Sequence, residues 1–178
     1  MKKLAAVLGL LAVVSVATAA PIATTDFVGL TLHGPNLSLD LTTHANSTVD
    51  AGVASAVWTT GPDLGATTGT PPGNSISGTA WEGTAGDYIA LSVELAPTYS
   101  AVIDQIRFAA RRSSTGPTTG LAQLYVNGGL EYTYNIFMGD TNYQNVDVTG
   151  LSIAAPAGAD IELRFVGSGG ASTGTWRV

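Results

Sequence analysis

The sequence contains no cysteine, and it contains no lysine after Lys3. Without cysteine the chain cannot form disulfides, so its stability has to come from a hydrophobic core. Without further lysines, Schiff-base chemistry is excluded from the rest of the chain. After residue 20, five arginines stand against thirteen acidic residues, a formal charge of −8. This balance argues against binding to nucleic acid or to an anionic membrane surface.

Long apolar runs are also scarce, and the longest one lies near the N-terminus. Two lysines precede an apolar stretch from Leu4 to Val14, and Ala17-Thr18-Ala19 matches the A-x-A cleavage pattern. The stretch is shorter than the roughly 18 apolar residues of a membrane-spanning helix. Residues 1–20 therefore predict a signal peptide, and residues 21–178 predict one exported domain, secreted or at the cell surface. No later segment predicts a membrane span.

Helical patterns are nearly absent after the leader, whereas short apolar segments recur about every eight to twelve residues between Gly, Thr, Ser, Pro and Asn. Leu37–Thr42 and Ile89–Leu95 alternate as half-buried strands do. Residues 61–77 are rich in Gly, Thr and Pro and predict a loop. Further strands are predicted at Phe27–Leu32, Val53–Thr59, Ile106–Ala110, Leu121–Asn127, Leu130–Phe137, Val146–Val148 and Ile161–Phe165. About nine strands predict an all-β fold, an antiparallel two-sheet β-sandwich of jelly-roll type.

The alternation also predicts which side chains share one core. The predicted members are Ile89, Leu91, Val93, Ile106, Phe108, Leu163 and Phe165.

Seven short motifs occur in a particular order along the chain. They are Asp26-Phe27-x-Gly29, Thr60-Gly61-Pro62-x-Leu64, Ala80-Trp81, Asp87-Tyr88, Arg112-Ser113-x-Thr115-Gly116-Pro117, Leu163-Arg164-Phe165 and Gly174-Thr175-Trp176-Arg177. From about residue 26 onward, their order and spacing resemble the β-sandwich ectodomains of bacterial PEP-CTERM proteins, which exosortase systems process and which are often linked to exopolysaccharide. The resemblance implies a jelly-roll-like sandwich, similar to carbohydrate-binding modules and generally without an assigned activity.

The chain departs from this pattern at its C-terminus. In similar proteins the Trp-Arg pair is followed by Asp-Asn or Asp-Asp and a last strand, then by Pro-Glu-Pro, a membrane helix and a basic tail. Here Trp176-Arg177 is followed by Val178 alone. The resemblance therefore implies either a domain truncated before its last strand or a protein that lacks the anchor, and membrane attachment is not carried over.

Three patterns resemble catalytic or metal-binding motifs but lack the required context. Gly170-Ala171-Ser172-Thr173-Gly174 matches the G-x-S-x-G nucleophile elbow, yet no histidine follows it. His33 and His44 lack a third ligand at a zinc-motif spacing. Gly139-Asp140-Thr141-Asn142 with Asp147 covers only part of a calcium loop. We expect a glycine-rich loop, two loop histidines and a polar hairpin turn instead, with no metal and no cofactor.

Paired carboxylates could support glycoside hydrolysis, which needs two of them about 5–10 Å apart. The available carboxylates are Glu82, Asp87, Glu94, Glu131 and Glu162. Glu94 and Glu162 have the outward parity of their strands, where cross-strand ion pairs with arginines such as Arg107 or Arg164 would explain them. We therefore predict that the protein is not an enzyme, and glycoside hydrolysis is the remote alternative.

The candidate binding residues are Trp58, Trp81 and Arg112. Trp58 and Trp81 border the predicted 61–77 loop, and an exposed indole there could stack on a sugar ring. The alternative is core packing, which is usual for tryptophan. Arg112 has the inward parity of its strand. It would either clamp the Ser113–Pro117 turn or contact an acidic or hydroxyl-rich sugar at the rim.

Together these patterns favour an exported, non-catalytic extracellular protein that binds exopolysaccharide. The alternative is a purely structural surface or matrix protein without a ligand. An exposed pair of aromatic rings beside a groove would favour the first function, and burial of all three tryptophans under a featureless surface would favour the second. A hydrolase would need two carboxylates facing each other in a cleft.

Overall fold

The computed structural model describes residues 20–25, 27, 31–65, 75–137, 139 and 141–178. Within these ranges the chain forms thirteen β-strands and no helix, so the predicted all-β fold class is correct. It follows that no described helix is long and apolar enough to span a membrane. The predicted signal peptide falls on residues 1–20, of which 1–19 lie outside the described ranges.

The strands form three sheets. In chain order they are β1 Ala23–Thr25, β2 Thr31–His33, β3 Ser38–Asp40, β4 Ser47–Val49, β5 Val53–Thr60, β6 Ser75–Gly78, β7 Tyr88–Leu95, β8 Ala101–Arg112, β9 Thr119–Val126, β10 Gly129–Ile136, β11 Gln144–Ala155, β12 Asp160–Ser168 and β13 Trp176–Arg177. A six-stranded sheet has the order β10-β9-β12-β7-β5-β3, a five-stranded sheet has the order β11-β8-β13-β6-β2, and β1 pairs with β4. The pairing of β2 with β6 is parallel, which departs from the predicted antiparallel pattern.

The two large sheets pack face to face around a single core, and Phe165 on β12 connects them. Its ring centroid lies 6.0 Å from that of Trp58 in the same sheet. It also lies 4.8 Å from Phe108 and 6.3 Å from Trp176, which belong to the five-stranded sheet. The predicted core is confirmed: four of its members are buried and the others, Leu91, Phe108 and Leu163, pack partly buried against them.

One predicted loop contains a strand. Residues 61–77 were expected to be irregular, but Ser75–Gly78 forms β6, which pairs with β13 on one edge and with β2 on the other. All four of its residues are buried. The Ser-Ile-Ser-Gly segment contains one apolar residue, so the sequence gives no alternation signal for it. The strand nevertheless lies between two other strands of its sheet. Residues 66–74 lie outside the described part.

The first predicted strand is described only in part. Phe27 is buried but has a φ of 55°, which is left-handed rather than extended. The last two residues of the predicted segment, Thr31 and Leu32, belong to β2, Thr31–His33. Residues 26 and 28–30 lie outside the described ranges.

The turn between β9 and β10 has the conformation that an Asn-Gly pair between two strands favours. Asn127 and Gly128 have φ values of 50° and 77°, as both central residues of a type I′ hairpin turn must. The Asn127 side chain also accepts a hydrogen bond from the Asp160 backbone N–H at 3.0 Å, and this contact ties the hairpin to β12.

Candidate functional site

The two candidate tryptophans lie in the core. Trp81 is fully buried, its Nε1 donates to the Gly78 carbonyl at 2.8 Å, and its ring meets Trp176 edge-on at 5.0 Å. Trp58 is 6% exposed and stacks near Phe165. Both indoles therefore show the core packing that the sequence left open as the alternative to sugar stacking. Trp58 has the inward parity of β5, whereas Trp81 lies in the loop between β6 and β7 and is buried by its contact with Trp176.

Trp58 also lines a cavity of about 360 Å³ between the two sheets. Its walls include Phe27, Phe108 and Phe165, and the buried Trp58 Nε1 has no hydrogen-bond partner among the described atoms. Residues 26 and 28–30, which adjoin Phe27 in sequence, lie outside the described ranges. We therefore assign this cavity no ligand.

Arg112 occupies the inward position that its parity predicts, because it lies opposite the buried Trp176. Its Nη1 donates to the carbonyls of Ser114 at 3.4 Å and of Gly116 at 3.5 Å. These are the predicted contacts with the Ser113–Pro117 turn, and they indicate a structural clamp. Arg112 also borders an open cavity of about 490 Å³, and a role there in ligand binding stays a prediction.

Of the candidate carboxylates, Asp87 is buried and accepts hydrogen bonds from the Gly83 and Thr84 backbone N–H groups, whereas Glu94 and Glu162 lie on the outer face of the six-stranded sheet. Glu162 accepts a hydrogen bond from Arg164 Nε, but the two belong to one strand, so the expected cross-strand pairing is wrong for this pair. Glu94 lies opposite Asp160 on the outer face of the six-stranded sheet, and both are exposed. Two exposed carboxylates on a sheet face do not form a hydrolytic site. Such a site needs two carboxylates across a cleft, where burial keeps one of them protonated so that it can act as the general acid.

The glycine-rich segment and the histidines are only partly as expected. Residues 170–174 form a loop between β12 and β13, as predicted in place of a nucleophile elbow. His44 lies in the turn before β4. His33 lies in β2 and is half-buried, with Nδ1 2.7 Å from Ser77 Oγ, so the prediction of a solvated loop is wrong for it. The described residues contain no group of three or more metal-ligating side chains, and Asp140 of the proposed calcium loop is outside them.

The position of His33 predicts a pH dependence of stability. Burial lowers the pKa of His33, and the positive charge of Arg177 lowers it further. Between that lowered pKa and the ordinary value near 6.5, the unfolded chain binds more protons than the folded one, so stability decreases as pH falls through this window. Thermal unfolding between pH 8 and pH 5 should show that His33→Gln flattens this decline. His44→Gln is the matched control, and an equal effect of both substitutions would contradict the prediction.

A cluster that sequence analysis did not find lies on the outer face of the six-stranded sheet. Arg164 is at its centre, on β12. Its guanidinium carbon lies 4.8 Å from the ring centroid of Tyr88 on β7 and 5.3 Å from that of Tyr125 on β9. Glu162 Oε1 accepts a hydrogen bond from Arg164 Nε, and the two side chains form an ion pair. We call Tyr88, Tyr125, Glu162 and Arg164 the tyrosine–arginine cluster.

Strand register brings these residues together. Because β12 pairs with β7 on one side and β9 on the other, Tyr88 lies opposite Val166 and Tyr125 lies opposite Glu162. The rings of Tyr88 and Tyr125 therefore reach Arg164 diagonally from the two neighbouring strands, one on each side. Their centroids are at most about 10 Å apart. The Tyr125 hydroxyl also donates to Gln123 Oε1 at 3.1 Å. The three tyrosine and arginine side chains are consequently fixed on a rigid sheet.

Arg164 is a permanent cation. Partial burial lowers its pKa, but the hydrogen bond and charge of Glu162, with contributions from Tyr125 and Tyr88, raise the pKa above its ordinary value. A guanidinium between two aromatic faces gains cation–π attraction. Its side chain is 34% exposed, so part of the group remains accessible from solvent.

No family model and no curated protein matches the chain. Among solved structures, a family 36 carbohydrate-binding module in complex with calcium and xylotriose is 13% identical, with a TM-score of 0.36, covering 80% of this chain and 94% of that one. A family 35 carbohydrate-binding module from an environmental isolate is 19% identical, with a TM-score of 0.32, covering 72% and 88%. A Stig cyclase from Fischerella sp. TAU is 12% identical, with a TM-score of 0.38, covering 87% and 84%. At these values the likenesses carry no weight, and the fold rests on the sheet topology itself.

Proposed function

We propose that the protein is an exported, non-catalytic β-sandwich that binds extracellular polysaccharide at the tyrosine–arginine cluster. The observation that carries this proposal is the pair of half-exposed tyrosine rings on either side of a fixed arginine on an outer sheet face. The PEP-CTERM resemblance and the A-x-A leader support an extracellular setting, in which exopolysaccharide is the ligand class.

The cluster combines the two kinds of contact that a sugar ring needs. A pyranose presents C–H groups on its face and hydroxyls around its edge, so the tyrosine rings offer apolar area and the neighbouring polar groups offer hydrogen bonds. Arg164 supplies donors, while Glu162 and Gln123 supply acceptor oxygens. Because the rings are already ordered by Arg164, little side-chain entropy would be lost on binding.

A non-catalytic role fits the same geometry. Glu162 is engaged by Arg164 in an ion pair, and a sugar at the cluster would meet aromatic rings. Hydrolysis would need a second carboxylate placed across the scissile bond.

Substitution of the tyrosines provides the test. Affinity electrophoresis of the mature protein through gels containing neutral and acidic polysaccharides should identify a retarding glycan. Tyr125→Ala and Tyr88→Ala should each weaken binding of that glycan about fivefold or more, the effect of removing a central aromatic contact. Tyr99→Ala is the control, since Tyr99 is 48% exposed and lies in the turn after β7, outside the cluster. It should change binding less than about twofold, as a residue outside an energetic centre does.

A structural surface protein without a ligand is the second candidate, and burial of all three tryptophans favours it. Passage of the wild-type protein through every gel without retardation would reject polysaccharide binding and support this candidate. Release of reducing ends from a retarding glycan, abolished by Glu162→Gln, would instead reject the non-catalytic assignment.

A further inference from the structure

Two arginines lie directly opposite each other on the outer face of the five-stranded sheet. Arg111 on β8 pairs in register with Arg177 on β13. Arg177 lies opposite Ser77 on β6, which lies opposite His33 on β2. The adjacent residue Trp176 is fully buried in the core, so its neighbour Arg177 has the outward parity. We call Arg111, Arg177, Ser77 and His33 the arginine row.

Like charges in this arrangement are unfavourable. The Cβ atoms of directly opposed residues on antiparallel strands are about 4.5–5.5 Å apart, and like charges at that distance destabilise the sheet. The Nε atoms of Arg111 and Arg177, like that of Arg112, are buried without a hydrogen-bond partner among the described atoms. The ring of Tyr143, 5.8 Å from the guanidinium carbon of Arg111, offers partial compensation.

The contrast with the other three arginines is informative. Arg107 pairs with Asp147 at 3.6 Å, Arg164 pairs with Glu162, and Arg112 donates to backbone carbonyls. Within the described ranges, neither Arg111 nor Arg177 forms an ion pair, although the domain has a large excess of acidic residues. Among the described residues, the cations of the arginine row therefore lack the acidic or carbonyl partners that the other three arginines have.

The directions of the neighbouring pKa shifts agree with a positive potential at the arginine row. Burial lowers the pKa of Arg177, the charge of Arg111 lowers it further, and Tyr143 acts in the opposite direction. The charge of Arg177 also contributes to the lowered pKa of His33 at the end of the row. A negative group placed between the two guanidinium groups would relieve this repulsion.

We propose that the arginine row is an oxyanion-binding site, in which Arg111 and Arg177 together hold a carboxylate or sulfate group. The planar guanidinium group presents donors in the geometry that such oxygens accept, often as two parallel hydrogen bonds. The anionic group could be carried on an acidic polysaccharide or be a free inorganic ion. The site is separate from the tyrosine–arginine cluster because the two lie on the outer faces of opposite sheets.

Titration with sodium sulfate and with polygalacturonate tests the proposal at constant ionic strength. We expect the mature protein to bind at least one of the two, and Arg111→Gln and Arg177→Gln each to weaken that binding about tenfold or more, as loss of a charge-assisted hydrogen bond does. Arg107→Gln is the matched control, because it removes the same charge from the same strand and outer face at an exposed ion pair. It should change binding less than about twofold.

Unfolding measurements separate loss of binding from loss of folding. Arg111→Gln removes a like-charge contact, so its unfolding midpoint without ligand should equal or exceed that of the wild type. The bound anion should raise the midpoint of the wild type and of Arg107→Gln, but not of Arg111→Gln. A midpoint of Arg111→Gln that falls well below the wild type would contradict the repulsion on which the proposal rests.

The remaining outcomes distinguish the ligand source and the two proposals. Much tighter binding of polygalacturonate than of sulfate would identify an acidic polysaccharide, and binding of sulfate alone would identify a free anion. Binding of neither probe, or equal weakening by Arg107→Gln and Arg111→Gln, would overturn the site. Tyr125→Ala should leave sulfate binding unchanged, and Arg111→Gln should leave binding of neutral glycans unchanged, so either proposal can fail alone.

Discussion

Trp81→Ala should lower the free energy of unfolding by about 3–5 kcal/mol, the usual cost of replacing a buried tryptophan or phenylalanine with alanine. Trp81 is fully buried and packs edge-on against Trp176, with ring centroids 5.0 Å apart. The substitution would leave a cavity and would also remove the Nε1 donor from the Gly78 carbonyl. A loss of this size is a large fraction of the total stability of a domain.

Trp81→Phe is the matched variant for this prediction. It keeps an aromatic ring against Trp176 but removes the hydrogen bond, so it should cost about 1–3 kcal/mol, the cost of an unsatisfied buried group. Urea denaturation followed by circular dichroism would measure both variants. Equal and small losses for the two substitutions would show that Trp81 does not contribute to the core as the structure indicates.

Arg112→Ala should lower the free energy of unfolding by about 1–3 kcal/mol, the range for hydrogen bonds that involve a charged group. Its guanidinium connects the end of β8 to the carbonyls of Ser114 and Gly116. Arg107→Ala should cost less than about 1 kcal/mol, because the Arg107 and Asp147 side chains are 72% and 50% exposed.

Urea denaturation of the two arginine variants, side by side, is the measurement. The same unfolding midpoint for both would reject the clamp. Weakened glycan binding by Arg112→Ala with unchanged stability would place Arg112 in a ligand site at the cavity that it borders.

Properties that depend on a single strand could be predicted from sequence. The alternation of Ile89, Leu91 and Val93 gave the buried face of β7, and parity alone placed Arg112 on the inward side of β8. The Asn127-Gly128 turn followed from the ability of both residues to adopt positive φ. In each case neighbouring residues in the chain contain all the necessary information.

Properties that depend on strand order could not be predicted in this way. The tyrosine–arginine cluster exists because β12 lies between β7 and β9, and nothing near Arg164 in the sequence indicates that Tyr88 will be its neighbour. Arg111 and Arg177 meet only because β13 enters the five-stranded sheet beside β8. The burial of Trp58 and Trp81 has a related cause, because their position beside a glycine-rich segment left both exposure and core packing open.

The position of β13 also affects when the domain can fold. This strand, residues 176–177, lies between β8 and β6, while β6 in turn pairs with β2 near the N-terminus. The five-stranded sheet thus cannot be completed until translation has reached residue 177. Contacts between such distant segments are slow to form. A nascent chain that has not reached residue 177 would accordingly lack the complete sheet, which is compatible with the export that residues 1–20 predict.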